Sequence, residues 1–225
     1  MAATPLLPPP RCEVHPGVWL DARKGVFFEA LGVLVVSDLH WGYAESHRRQ
    51  GNLVPLWGDD DIEQRLNELL ADLRPREMVW LGDSLHSVSG RTRADRFLRD
   101  SPVPVTVLAG NHDANWSAVS GRVLQRGDFW FHHGDREEPI PSPRLVEVIG
   151  HHHPALLWTD GAGARVKLPL LVASRRRLIL PAFSPWAGGA PWRRSSPDEA
   201  LWAVAPRRIF AIPPSFDSPS SPSRS

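Results

Sequence analysis

The sequence predicts an α/β fold, and three features predict it. Short apolar runs rich in β-branched residues recur along its first two thirds. A helical repeat of leucines separates the first two runs. Each of the first five runs is followed at once by aspartate, glycine or histidine. Residues 33–37 are a continuous β-branched run, as expected of a strand covered on both faces. Residues 78–81, 103–109, 128–132 and 145–149 have the same character. Between the first two, Ile62, Leu66, Leu69, Leu70 and Leu73 repeat at helical spacing on one face. Asp60 and Glu63 stand at capping-box spacing there, and Pro75 stops the helix. After residue 155 the pattern turns to strands alone, at 168–173, 177–181, 201–205 and 208–212. That change predicts a second β layer added to the first.

A chain of 225 residues suits one domain with small additions. We place that domain at residues 13–212, between a loose proline-rich segment at 1–12 and a disordered serine- and proline-rich tail at 213–225. Hydrophobic residues at 42% and charged residues at 23% supply a sizeable core. The net charge of +1 does not indicate a strongly basic nucleic-acid binder, although local patches remain open. Cys12 is the only cysteine, which excludes an internal disulfide and zinc-finger chemistry. The start, MAATPLLPPPR, lacks the basic and apolar regions of a signal peptide. No run approaches the roughly 18 apolar residues of a membrane span. The expected location is the cytoplasm.

The residues after the five runs carry the chemistry. In order they are Asp38-Leu39-His40, Gly82-Asp83, Gly110-Asn111-His112-Asp113, His133-Gly134 and Gly150-His151-His152-His153. Strand ends in open α/β sheets face a common crevice, so these loops can converge. Six of the ten histidines lie in them. A buried cluster of carboxylates and imidazoles needs a neutralising charge, and a pair of divalent cations supplies it. Aspartate, asparagine oxygen and imidazole suit manganese, iron or zinc.

These blocks resemble those of the calcineurin-like metallophosphoesterases, whose pattern is D-x-H, G-D, G-N-H-D/E, H and G-H-x-H in this order. The resemblance implies a four-layer α/β/β/α sandwich and a dinuclear centre that hydrolyses phosphate esters. Carried over by position, Asp38, His40 and His153 would hold one metal, and Asn111, His133 and His151 the other, with Asp83 bridging. Manganese is the expected ion, with iron or zinc as alternatives. A metal-bridging hydroxide would attack phosphorus directly, His112 would assist the leaving oxygen, and Asp113 would orient His112 through a hydrogen bond. His132 and His152 are the extra histidines of their blocks; side chains alternate along a strand, so each should face away from its neighbours. Further motifs are similar to those of the bacterial ligase-associated DNA-damage-response phosphoesterases, the PdeM group. They are Ser37 to Gly42, Arg49-Gln50-Gly51, Gly82 to His86, Gly150 to Ala155, and Leu180 to Phe183 followed by Gly188-Gly189. That likeness implies a phosphodiester substrate in DNA or RNA and association with a DNA ligase and a helicase. Two other readings stand beside it: a small-molecule phosphatase or nucleotide hydrolase with the same centre, and a metal-binding scaffold without catalysis.

Outside the blocks, His86 reads either as a substrate contact or as an exposed helix residue, and His15 and His47 as solvated. Arg48-Arg49, residues 175–177, Arg193-Arg194 and Arg207-Arg208 read first as solvated faces. Trp19, Trp80 and Trp130 belong to the expected core. Among the loop tryptophans, Trp41 and Trp116 are those expected nearest the site, where stacking on a base is conceivable.

Overall fold

The computed structural model describes residues 10–159 and 162–217. The first sheet is built from β1 (Arg11–His15), β2 (Val18–Asp21), β3 (Val26–Phe28), β4 (Val33–Val36), β5 (Glu77–Trp80), β6 (Val105–Leu108) and β7 (Val119–Gly121), side by side in chain order. β1 to β4 pair antiparallel, whereas β4 to β7 run parallel. Parallel neighbours need long crossovers. These are supplied by α1 (Tyr43–Arg49) with α2 (Gly58–Leu73), and by α3 (Arg91–Asp100). Arg11 and Cys12, expected in the loose N-terminus, open β1, where they pair with Asp21 and Leu20. Residues 1–9 and 218–225 of the expected loose ends lie outside the described residues.

The second sheet carries β8 (Val123–Arg126), β9 (Phe129–His132), β10 (Val146–Ile149), β11 (Pro154–Thr159), β12 (Arg165–Ala173), β13 (Arg177–Ile179) and β14 (Ala190–Pro191), in the order β14-β11-β12-β13-β10-β9-β8. β15 (Ala200–Ala205) adds to β12, and β16 (Arg208–Ile212) to β15. β9, β10 and β13 are parallel, so β9 and β10 end on the same side.

The two sheets face each other across one core. Val18, Phe28, Val35, Val79 and Leu108 of the first meet Phe131, Val148, Leu171, Leu178 and Val204 of the second. The helices cover the other face of the first sheet, where Ile62, Leu66 and Leu69 of α2 and Phe97 of α3 pack on Leu34, Met78, Trp80 and Val107. The far face of the second sheet holds a smaller cluster, Ile149, Leu170, Val172, Ile179, Leu201 and Ala203, capped in part by Trp192. No α-helix follows Asp100 among the described residues, so strands and turns alone close that side. The mixed α/β architecture with two packed sheets is as predicted.

The start of α2 departs from expectation. It begins two residues before Asp60, with Trp57 preceding it, and the reciprocal capping pair does not form. Asp60 and Glu63 instead each lie 2.6 Å from the Arg93 guanidinium, which ties α2 to α3. At its other end Arg74 takes a left-handed conformation before Pro75, which blocks a further turn.

Candidate metal centre

The loops after β4, β5 and β6 in one sheet and after β9 and β10 in the other meet at one edge of the sandwich. The Asp38 and His40 amides donate to the carbonyls of Gly82 and Asp83, at 3.1 and 3.0 Å, which sets the first two loops in register. The His112 amide donates to Asp83 Oδ1 at 2.9 Å, which brings in the third. The second sheet is attached through Asp38, whose carboxylate accepts the His151 amide at 3.1 and 3.2 Å. Such closeness requires glycine. A Cβ on Gly82, at φ 89°, would lie 2.7 Å from the His133 Cβ, and one on Gly150 would lie 2.7 Å from Asp38 Oδ2.

Two sets of ligand atoms result, Asp38 with His40 and His153, and Asp83 with His133 and His151. In each set the atoms lie within 4.8 Å of one another. Five of these six residues have left-handed backbones: Asp38 at φ 57°, His40 at 52°, Asp83 at 47°, His151 at 62° and His153 at 44°. Each costs roughly 1 kcal/mol for a residue with a side chain, and such strain gathers where function demands a geometry.

The donor atoms fit a cation. His133 Nδ1 lies 2.9 Å from the Leu81 carbonyl, which can only accept, so that nitrogen carries the proton and Nε2 keeps its lone pair in the neutral ring. Nε2 of His133 stands 3.3 Å from Asp83 Oδ1, and Nε2 of His153 3.0 Å from Asp38 Oδ1. Both nitrogens are buried and make no properly directed hydrogen bond, and the same is true of His40 Nδ1. Atoms within reach of one another but not aligned are what a shared third partner of positive charge leaves.

Without that charge the site is electrostatically unbalanced. Burial opposes a charge on His133, yet Asp83 and Asp38 overcome it and push the imidazole up to about 9. Burial likewise favours a protonated Asp83, but His133 and the His112 amide hold that carboxylate at about 2. Asp38 is also held below the usual carboxylate range: burial works upward, and His153 and His133 outweigh it. His40 goes the other way, down to about 4, because burial dominates its two carboxylate neighbours. Each ligand set can hold a divalent metal ion.

The other predicted residues fall out differently. Asn111 sits in the exposed turn between Gly110, which abuts Asp83, and His112. His112 is exposed at the rim, with its ring 5.2 Å from that of His40. Asp113 does not make the expected hydrogen bond to His112. Its buried oxygens accept from the amides of Ser84, Leu85 and Gly110, so it clamps one loop to the next. His132 points away from the ligands, to Glu147 at 2.9 Å, and Arg177 holds the other Glu147 oxygen. His152 is exposed between the rings of His151 and Trp192.

The structure also gathers residues from outside the five blocks. His86 stacks on His112 at 5.5 Å and shares with it and His40 a third set of nitrogens within 4.8 Å. Burial lowers its pKa, and His112 and His47 add to that, so His86 is neutral at neutral pH. His47, expected to be solvated, packs on Tyr43 at 4.2 Å and stacks on His86 at 5.4 Å. His15 packs edge-on against Phe129. Trp41 and Trp116 are no stacking surface: they are 0% and 4% exposed and belong to the helix-side core. Trp80 is core as expected, whereas Trp19 and Trp130 are half-buried. No signal in the sequence singled out Tyr43.

Comparison with known proteins places this geometry. A model of the calcineurin-like phosphoesterase family matches residues 31–199, which takes in every loop described above. Among solved structures, the nuclease MPE of Pseudomonas putida is similar at a TM-score of 0.68 and 24% identity, covering 91% of this chain and 100% of its own. The E. coli phosphoesterase Yfce (TM-score 0.40, 16% identity) covers 83% and 94%. A mutant Vps29 of Entamoeba histolytica (0.38, 17%) covers 80% and 97%. No protein with a curated description matches at a significant level. On the family match, which spans every loop of the candidate centre, the chain belongs to the calcineurin-like phosphoesterases and is a metal-dependent hydrolase of phosphate esters.

Proposed function

We propose that the chain hydrolyses phosphodiesters in DNA or RNA at a dinuclear centre. The observation that carries this is the pair of adjacent ligand sets, Asp38-His40-His153 and Asp83-His133-His151, with an exposed histidine at their rim. Asn111, in the turn beside Asp83, would join the second set, and Asp83 would serve both ions. Two divalent cations, manganese first and iron or zinc as alternatives, would supply Lewis acidity and make water a stronger nucleophile near neutral pH. The chain's own residues do the rest. The His133 imidazole is held by the Leu81 carbonyl with Nε2 turned inward. Asp113 fixes the loop that carries His112. His112, exposed at the rim, delivers a proton to the leaving oxygen as the oxygen of the attacking water bonds to phosphorus and the ester phosphorus–oxygen bond breaks.

The nucleic-acid substrate class is supported by the P. putida protein of like fold, which is a nuclease. Association with a DNA ligase and helicase, and a cytoplasmic site of action, belong to the same reading and rest on the sequence motifs. No helix among the described residues is long and apolar enough to cross a membrane.

The test is metal-stripped protein given manganese, iron or zinc, then offered a nitrophenyl phosphodiester, nucleotides, single-stranded DNA and RNA. Cleavage of the diester and a polynucleotide, falling steeply with salt, is the expected result. Preference for nucleotides with no response to salt would replace this reading with a nucleotide hydrolase. His112→Ala should lower turnover by about 10²–10⁴ while metal content is unchanged. Unchanged turnover would remove His112 from the chemistry.

A further inference from the structure

A file of aromatic rings leads out of the metal centre along α1. From the His40 ring the contacts run to His112 at 5.2 Å and on to His86 at 5.5 Å. They continue to Tyr43 at 4.6 Å, to Trp186 at 6.1 Å with planes only 13° apart, and to Trp57 at 4.8 Å. Tyr43, Trp57 and Trp186 are in none of the three buried cores. Trp57 is 49% exposed and lies beside Leu56, which is 57% exposed. The fold makes room for this arrangement. The indole of Trp186 lies against the first residue of α2, Gly58, where a Cβ would come within 2.7 Å of Trp186 Cε2. A helix start without a side chain therefore seats a ring that the core does not use.

We infer that Tyr43, Trp186 and Trp57 form a stacking platform for an unpaired base of the substrate strand, next to the phosphate held at the metal centre. Flat, half-exposed rings continuous with a phosphodiesterase site match what bases offer, since every base has a π-face and only an unpaired one can expose it. The charge on the adjoining face of α1 agrees. A cleft of about 870 Å³ there is lined by Arg48, Arg49, Arg93, Arg96 and Arg99. Arg49 is paired with Glu45, Arg93 with Asp60 and Glu63, Arg96 with Glu63 and Arg99 with Asp100. Arg48 instead meets the Val54 carbonyl and has no carboxylate partner among the described residues, which leaves its charge to a phosphate of a backbone passing the platform. This inference rests on the proposed action on nucleic acids and adds the residues that grip the base.

Two substrates test it: an oligothymidylate, and the same backbone with tetrahydrofuran sites in place of every base. With manganese, the wild-type protein should show a KM for the base-bearing strand about tenfold or more below that for the abasic one. In Trp57→Ala and in Trp186→Leu that ratio should fall toward one, whereas Trp57→Phe, which keeps a ring, should retain most of it. Thermal melts of each variant confirm that it is folded. A ratio near one in the wild type, or an undiminished ratio in folded alanine and leucine variants, would overturn the platform. Failure to cleave either strand would instead sink the proposed substrate class, which the nitrophenyl diester assay reads separately.

Discussion

Removing metal should make the stability of this protein depend on pH in a direction fixed by His133. In the metal-free fold that imidazole is raised from its ordinary 6.5 to about 9 by Asp83 and Asp38, against the opposing effect of burial. A raised pKa stabilises the fold fully below the unfolded value, where both states are protonated. Between pH 6.5 and 9 the folded state keeps a proton that the unfolded chain has released, so stability falls as pH rises. At roughly 1.4 kcal/mol per tenfold, the loss across that window is on the order of 3 kcal/mol. For a domain of this size it corresponds to a drop in Tm of about 6–12 °C. Bound metal removes the effect, because a cation on Nε2 takes the place of the proton. Thermal melts from pH 6.5 to 9.5, with chelator and with manganese, measure both arms. A chelated protein whose Tm is flat over this range, or a folded His133→Ala variant that keeps the full slope, would refute the reasoning.

Two further outcomes follow from the loops. Asp113→Ala should cost about 1–3 kcal/mol in chemical denaturation, because three buried amides lose their acceptor; a change below about 0.5 kcal/mol would show that the clamp is unimportant. Gly150→Ala should weaken metal uptake at least tenfold, since its methyl group meets Ser37 and Asp38 and must push the β10 loop away from the first sheet. Unaltered metal affinity, measured by titration, would mean the two loops can separate freely.

The candidate ligand blocks are legible because each is a short polar cluster placed directly after a β-branched or aromatic run, and strand ends share a side of the sheet. The alternation along β9 also reads straight from sequence, since His132 and His133 must point to opposite faces. What failed depends on backbone conformations that no periodicity encodes. Trp41 follows the candidate ligand His40, which in sequence puts it at the site. His40, however, turns left-handed at φ 52°, and the chain then sends the next side chain inward, beneath α3, where the Arg93 guanidinium lies over its ring. Asp113 was assigned to its neighbour His112, yet its partners are the backbone of a loop about thirty residues earlier. The helix start was misplaced because Asp60 and Glu63 have the spacing of a cap while serving as tertiary partners of Arg93. The file from Tyr43 to Trp186 joins residues far apart in sequence, and it exists only once α1 and the loop after β13 are packed.

The metal centre is also where the two sheets are joined beyond their shared core. Ser37, the residue before the first ligand, bridges to Ala182 in the loop after β13. Phe183 and Ser184 donate their amides to the Ser37 and Asp38 carbonyls at 2.8 and 3.0 Å. The Asp38 carboxylate takes the His151 amide across the same gap. The three loops that hold the five left-handed residues are therefore tied to one another by bonds from both sheets, which is how such strain persists in a folded chain. Summed at roughly 1 kcal/mol each, the strain comes to about 5 kcal/mol, comparable with the lower end of the net stability of an ordinary domain. A cation drawn between Asp38, Asp83 and the imidazoles offsets that cost only if the loops stay bent. Metal binding and the docking of the second sheet are thus two expressions of one constraint: a substitution that relaxes the ligands' backbone should raise the stability of the stripped protein and weaken its grip on metal together.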